Sequence, residues 1–470
     1  MSGYSGEERK ALKNWRPIHW SALRDIEYNV RTLRARAADL AMNSALGSAA
    51  IKTMTTGVVG SGLKLFPRLR REVLNLTAEE ARRWSRRVKM EWALWAGKCD
   101  WLRRNTFEEL QAVAYASSLV EGDAFVLFKR GSPDALTPYS LKLQLIEAGR
   151  VSNPTAGAIE ERRSNRIING IEIDDDGRLE AVWISNRQWD EPGDLVTWER
   201  VRWYGERTGL PNVLQIARDE RPDQLRGVPL LAPALESLKQ LSRYADAELT
   251  ASIIRSFFSI FFTQPLSTLD INEVLGDVDV DSYRIGEPSV MALPRGVDVK
   301  SIGGQNAQST YAAFTGMFIK QVGASIGIPY ELLLKSFQNS YSASRAALQE
   351  AANEFRLRKA AFVNDFCRPV YEAFLTEAIA LGRIDAPGFF DDPLKRAAYL
   401  NAEWFSEVTH FIEPLKEVQA AKARIDLGLT TYRKEAMELC GSDYDENKEE
   451  DHGTLRGDNA GDVATSLGDD

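Results

Sequence analysis

Residues 323–327, GASIG, have the spacing of a nucleophile elbow, where a serine on a tight strand-to-helix turn is activated by a distant His and acid. The preceding YAAFTGMFIKQV reads as helix rather than strand. Only His410 and His452 follow it, the latter in an acidic C-terminal stretch, so the string is a helix end. GVVGSG at 57–62 lacks both a following Gly-Lys-Ser/Thr and GxGxxG spacing, which discounts a phosphate cradle. Asp174, Asp175 and Asp176 are a carboxylate run of the kind calcium takes, but their spacing is not that of an EF-hand. Arg82, Arg83, Arg86, Arg87 and Lys89 cluster on one predicted helix, with Arg68, Arg70, Arg71, Arg103 and Arg104 near in sequence. Phosphate binding is one reading. A solvated or inter-subunit face beside Glu79, Glu80 and Glu91 is the favoured one. The remaining polar cluster is the loop 335–342, KSFQNSYS, small and polar with one cation at Lys335. Taken alone, it reads as an ordinary surface loop.

Elements follow from period and punctuation. A helix is expected over 21–43, with Leu23, Ile26, Val30, Leu33, Ala37 and Leu40 on one face. The stretch 57–66 reads as a strand with glycine bends. Thr77 and Glu80 form a capping box for a helix carrying Trp84, Val88, Trp92 and Trp95 and ending at Gly97; another helix covers 106–120. From 124 to 203 the pattern is strands, and IEIDDDGRLEAVWI at 171–184 alternates about Asp176-Gly177 as a hairpin does. A helix is expected over 230–258, striped by Leu231, Leu235, Leu238, Ala245, Leu249 and Ile253, and a third over 308–324. Between them 263–305 is acidic, Pro/Gly-punctuated and fits a small α+β insert. After SIGIPY at 325–330 and the polar loop comes an apolar-striped helix from 342 to about 381, roughly 60 Å long at 1.5 Å per residue. Residues 383–440 read as helical with Pro/Gly breaks. A helix this long, without a nucleophile or metal set along it, suggests a large assembly more than a small-molecule enzyme.

The chain has 470 residues, 44% of them hydrophobic, and a formal charge of −8. By length this is about three domains. Residues 441–470 hold ten acidic residues against two basic ones, so 1–440 is formally neutral and is not a basic nucleic-acid glove. The acidic stretch has no apolar period and reads as disordered. Cys99, Cys367 and Cys440 are far apart and odd in number, which implies a reducing compartment with neither disulfide framework nor metal site. No signal peptide is visible. The most apolar run, 253–262, is half a membrane span and contains Arg255, so the chain reads as soluble and cytosolic.

These residues carry a resemblance. SIGIPYELLLKSF at 325–337, followed by NSYSASRAALQEA at 339–351, resembles the lambda-type family of bacteriophage portal proteins. EGDAFV at 121–126, LQLIEAGRVSNP at 143–154, RPDQLRGVPLLAP at 221–233, YADAEL at 244–249 and EPLKE at 413–417 lie in the family's order, so the likeness spans roughly 25–440. Each motif alone is weak; the ordered set is strong. The chain departs from the pattern at Gly149, Ala343 and Glu413, none of them a catalytic position.

The resemblance implies an α+β portal fold with a mixed α/β wing, long stem helices, a small clip insert and a helical C-terminal crown. It implies an N-terminal arm at 1–20, the wing at 21–228, a first stem helix at 229–258 and the clip at 259–307. The second stem helix then covers 308–328, the tunnel loop 329–344, a long wing and channel helix 345–382, the crown 383–440 and the acidic tail 441–470. Lys335, Gln338, Asn339, Ser340, Tyr341 and Ser342 would line a DNA channel. Asp270, Glu273, Asp277, Asp279, Asp281 and Glu287 of the clip would meet partners. The implied assembly is a ring, usually dodecameric, at the capsid vertex of the virion, formed in the host cytoplasm. Its implied partners are double-stranded DNA without sequence preference, the terminase large subunit, a head–tail adaptor, and capsid and scaffold proteins, with no membrane. No Walker motif is present, so the packaging ATPase would be a partner; neither cofactor nor catalysis is expected. Another phage head–tail structural protein and a nucleic-acid-processing enzyme are the alternatives.

Overall fold

Ser44 does two jobs in the first helical pair. It ends α1 (Val30–Asn43), and from an extended backbone its hydroxyl accepts the Gly47 amide at 3.3 Å, starting α2 (Ala45–Val58). The computed structural model that shows this describes residues 18–155, 165–188, 195–256, 260–263, 298–301, 307–337, 340–406, 414–445 and 447–448. The single helix expected over 21–43 is two pieces, a π-turn at Leu23–Glu27 and then α1. The break falls where buried Glu27 turns inward to accept the Leu225 and Arg226 amides at 3.0 and 2.9 Å. The strand expected over 57–66 is mostly something else. α2 runs to Val58 and only β1 (Lys64–Pro67) is strand. Gly57 marks a close packing contact instead: a Cβ there would lie 2.5 Å from the Phe355 ring.

After the short α3 (Arg71–Leu74), α4 (Ala78–Ala96) and α5 (Phe107–Glu121) each start from a complete capping box, Thr77 with Glu80 and Thr106 with Glu109. Trp92 and Trp95 of α4 lie 4.9 Å apart and Trp92 meets Phe107 edge-on at 5.0 Å, the centre of an aromatic core. β2 (Asp123–Arg130) pairs with β3 (Leu141–Ile146). The meander β4 (Arg166–Ile168), β5 (Ile171–Ile173), β6 (Leu179–Ser185) and β7 (Trp198–Arg202) comes next, with the expected hairpin between β5 and β6. β8 (Val213–Ala217) then pairs with the other edge of β2. The central strand is covered on both sides. Val126 joins the helical core, while Phe125 and Leu127 join a second core with Ile146, Ile171, Val182 and Trp203.

α6 (Leu235–Ser256) leaves this body, β9 (Ile260–Thr263) pairs antiparallel with β10 (Asp298–Ser301), and α7 (Ala307–Ile326) returns against α6. Tyr244 stacks on Tyr311 at 5.4 Å. The rest of the acidic insert lies outside the described residues, including Asp270, Glu273, Asp277, Asp279, Asp281 and Glu287. Next come α8 (Tyr330–Leu334) and the long helix: α9 (Tyr341–Phe362), a π-turn at Val363–Cys367 and α10 (Arg368–Ala380), end to end. The π-turn has a local cause. Pro369 has no N–H and its ring would strike the residue 365 carbonyl in a regular helix, so the preceding turn widens. Of the expected stripe, Phe362, Phe366, Val370 and Phe374 are buried, whereas Leu348 and Phe355 are half-buried and Ala352 is exposed.

The stretch 383–440, expected helical, holds α11 (Pro393–Leu400), then β11 (Ala402–Phe405), then α12 (Pro414–Asp426) and α13 (Tyr432–Cys440). β11 pairs antiparallel with β1, setting Trp404 opposite Leu65, and Phe389, Tyr399 and Trp404 enter the same core as α4 and α5. Four residues carry too short an alternation to be read as strand against helical neighbours. The start of the acidic tail is also ordered: Asp443 pairs with Lys89 at 3.2 Å and Asp445 with Arg433.

Candidate functional site

The polar loop is set by the turn that precedes it. α7 ends at Ile326, Gly327 takes φ +74°, and the Ile328 amide donates back to the Gly323 carbonyl at 2.9 Å. Ile328 and Leu333, both buried in the main core, pin the reversal. α8 closes in a Schellman motif. The Ser336 amide donates to the Glu331 carbonyl at 3.0 Å and the Lys335 amide to that of Leu332 at 3.3 Å. This places Lys335 at the left-handed position, φ +52°, where glycine is the usual residue. A long charged side chain there is not chosen for the backbone. Lys335 is exposed and Phe337 is 49% exposed. Lys335→Gly is expected to raise the stability of this turn by about 1 kcal/mol, because it removes the left-handed penalty, whereas Lys335→Ala keeps the strain. Thermal melting of both variants checks this, and equal melting would refute the strain.

The far side of the loop differs from expectation. Tyr341 and Ser342 are the first residues of α9, not loop, because Ser340 is its N-cap and accepts the Ala343 amide at 3.4 Å. The first turn of α9 contains no acidic residue, so its amide end and Lys335 flank the loop without a local carboxylate beyond buried Glu331. Gln338 and Asn339 lie outside the described residues.

A second constellation was hidden in the sequence. Asp123 and Arg226 have fully buried side chains and form a paired contact, with Nε to Oδ2 at 2.7 Å and Nη2 to Oδ1 at 3.1 Å. Asp123 also accepts from Arg34 at 2.7 Å, Gln215 at 3.0 Å and the Gly227 amide at 3.1 Å. Arg226 spends its other three N–H groups on the Ala148 and Val151 carbonyls, both at 2.9 Å, and on the Asn169 carbonyl. Burial opposes the charge on Asp123, but Arg226 and Arg34 win and hold its carboxyl below the usual range; burial and Arg226 together bring Arg34 down to about 10. Gly122 and Gly227 meet backbone to backbone, a Cβ on Gly227 falling 1.9 Å from the Gly122 carbonyl oxygen. EGDAFV, LQLIEAGRVSNP and RPDQLRGVPLLAP thus converge on one buried joint at the root of α6. A charge inside the apolar run at 123–128 was the signal that could have revealed it.

The other motifs dissolve into structure. Ser325 sits in the last turn of α7 and its hydroxyl donates to the Val322 carbonyl at 2.8 Å, with no strand before it. His410 and His452 lie outside the described residues. Asp174 accepts the Asp176 and Arg178 amides at 2.9 and 2.8 Å, closing its hairpin. Among the described residues no group of three His, Cys, Asp or Glu could hold a metal, and no helix is long and apolar enough to cross a membrane. In the arginine cluster Arg87 pairs with Glu91 at 2.8 Å and Arg83 with Glu79 at 3.8 Å.

The family model for phage portal proteins of the lambda family matches residues 8–359. Portal protein B of Escherichia phage lambda is 26% identical over 475 residues, covering 95% of this chain and 86% of that one. The portal protein of Escherichia phage N15 is 25% identical, covering 94% and 87%. Among solved structures, the neck of an empty GTA particle computed with C6 symmetry aligns over 87% of this chain and 92% of that one, at 13% identity and a TM-score of 0.48.

Proposed function

The chain belongs to the lambda family of phage portal proteins and is a portal subunit, and from that premise we propose how it works. It closes into a ring of twelve copies at one capsid vertex, and double-stranded DNA passes through the central channel during packaging and ejection. The family match across residues 8–359 carries this reading. The surface of one copy supports it. Leu249 and Ile253 of α6, Met317 of α7 and Leu357 of α9 are 49–69% exposed. Head-to-tail contacts that close into a ring would cover such faces.

In this reading α6 and α7 are the stem, the insert between them is the clip, and 329–344 is the tunnel loop. Lys335, with Gln338, Asn339 and Ser340, faces the duplex and touches phosphates weakly. A neutral body suits a sliding duplex, because strong phosphate binding through counterion release would hold the DNA still. The acidic clip docks the terminase large subunit and later a head–tail adaptor, and the ring is built with capsid and scaffold proteins in the host cytoplasm. The work of translocation belongs to the partner ATPase, since this chain has no Walker motif. Purified protein is expected to form closed rings with a central channel in negative-stain images, with a matching mass by native mass spectrometry. Monomers and dimers alone, at high concentration and across assembly conditions, would overturn the ring.

A further inference from the structure

A cavity of about 550 Å³ opens between the end of β1, the outer face of α4 and the start of α13. Six cationic side chains line it: Arg68, Arg71, Arg82, Arg86, Lys89 and Arg433. Only two carboxylates do, Asp443 and Asp445, and both come from the first residues of the acidic tail. They are not passers-by. Asp443 pairs with Lys89 at 3.2 Å and lies 3.8 Å from Arg433, and Asp445 pairs with Arg433. Between them Tyr444 stacks on Tyr432 at 5.2 Å. The tail is therefore fastened into the cavity at its root, and the lining keeps an excess of positive charge. Among the described residues Arg71 and Arg82 have no ion-pair partner, and both are exposed.

The chain beyond Asp445 has the complementary charge. Residues 446–470 hold eight acidic side chains and two basic ones, and Glu446, Glu449, Glu450 and Asp451 come within six residues of the anchor. The chain leaves the anchor in a helical turn, the Asn447 amide donating to the Asp443 carbonyl at 2.9 Å, so the six residues to Asp451 reach at most about 20 Å, while Arg82 and Arg86 are one helical turn apart, about 6 Å. Tethering raises the local concentration of the tail carboxylates to the millimolar range, so contacts that are individually weak at an exposed surface still form much of the time. We propose that the acidic tail, 446–470, lies along the arginine face of α4 and covers it. The chain thus carries its own polyanion over its basic surface, which keeps that surface from holding DNA. This goes beyond the portal reading and does not depend on it.

Two measurements on the full-length protein and its variants test this. In the first, Arg82→Lys and Arg86→Lys give carbodiimide a lysine to couple, and mass spectrometry maps the cross-links. Cross-links from positions 82 and 86 to 446–470 are expected, falling in high salt, and exceeding those from the exposed Lys52 and Lys98. In the second, a chain ending at 445, with Asp443 and Asp445 retained, is titrated with a labelled 20-base-pair duplex at low salt. It is expected to bind at least tenfold tighter than the full chain, and Arg82→Glu with Arg86→Glu in the shortened chain should abolish the gain. Cross-links no more frequent at 82 and 86 than at Lys52 and Lys98, or equal duplex binding by the full and shortened chains, overturns the proposal.

Discussion

Asp123→Ala is expected to cost about 3–5 kcal/mol of stability, the range for breaking a buried charge pair by removing one partner. Arg226, with its side chain wholly buried, would be left facing an empty site, and the Gly227 amide and Gln215 would lose their acceptor. The effect should reach beyond the strands into α6, because the joint sits where β2, the 148–151 turn and the root of α6 meet. Arg34→Ala should cost much less, since Arg34 is nearer the surface and Arg226 still neutralises Asp123. Denaturant unfolding of the two variants, with hydrogen exchange along α6, gives the comparison; equal and small losses would show that the joint is not a stability centre. pH supplies a second check. The folded carboxyl of Asp123 lies below its unfolded value, so its contribution is fully present above the unfolded value of about 4 and is lost as pH falls through the folded one. The gap between wild type and Asp123→Ala should therefore narrow in acid.

The second expected result concerns the proposed channel loop. A triple alanine variant at Lys335, Gln338 and Asn339 should fold and assemble normally, because Lys335 is exposed and the turn is held by Ile328, Leu333 and backbone hydrogen bonds. DNA handling should change severalfold, read as length packaged and as leakage from filled heads. Each exposed contact is worth only about 0.2–1 kcal/mol, but a ring repeats it once per subunit around the duplex. Weak and repeated is the useful regime, since one strong contact would stall the DNA. Wild-type packaging and retention in assembled mutant rings would sink the assignment, as would a ring structure with this loop on the outer rim.

Much of the site's framework was legible in the sequence because it is local. The Thr77 capping box, the Asp176-Gly177 hairpin and the Gly327-Pro329 stop each act within a few residues, where side chain and backbone decide together. The long helix was legible too, since its stripe of Phe362, Phe366, Val370 and Phe374 continues across the π-turn.

What the sequence determined, then, was most of the longer helices, the hairpin at Asp176-Gly177, the neutral body with its charged end, and through the ordered motifs the family. The tertiary structure decided which glycines and charges matter. Gly57 is small because Phe355, nearly three hundred residues away, packs on it, and β11 is a strand because β1 is there to pair with it. Asp123 and Arg226 look like surface charges until the fold buries them face to face, and Asp443 looks like disordered tail until Lys89 and Arg433 hold it. Each depends on a partner far away in the chain, and no local pattern can specify a contact whose other half is set only when the core closes.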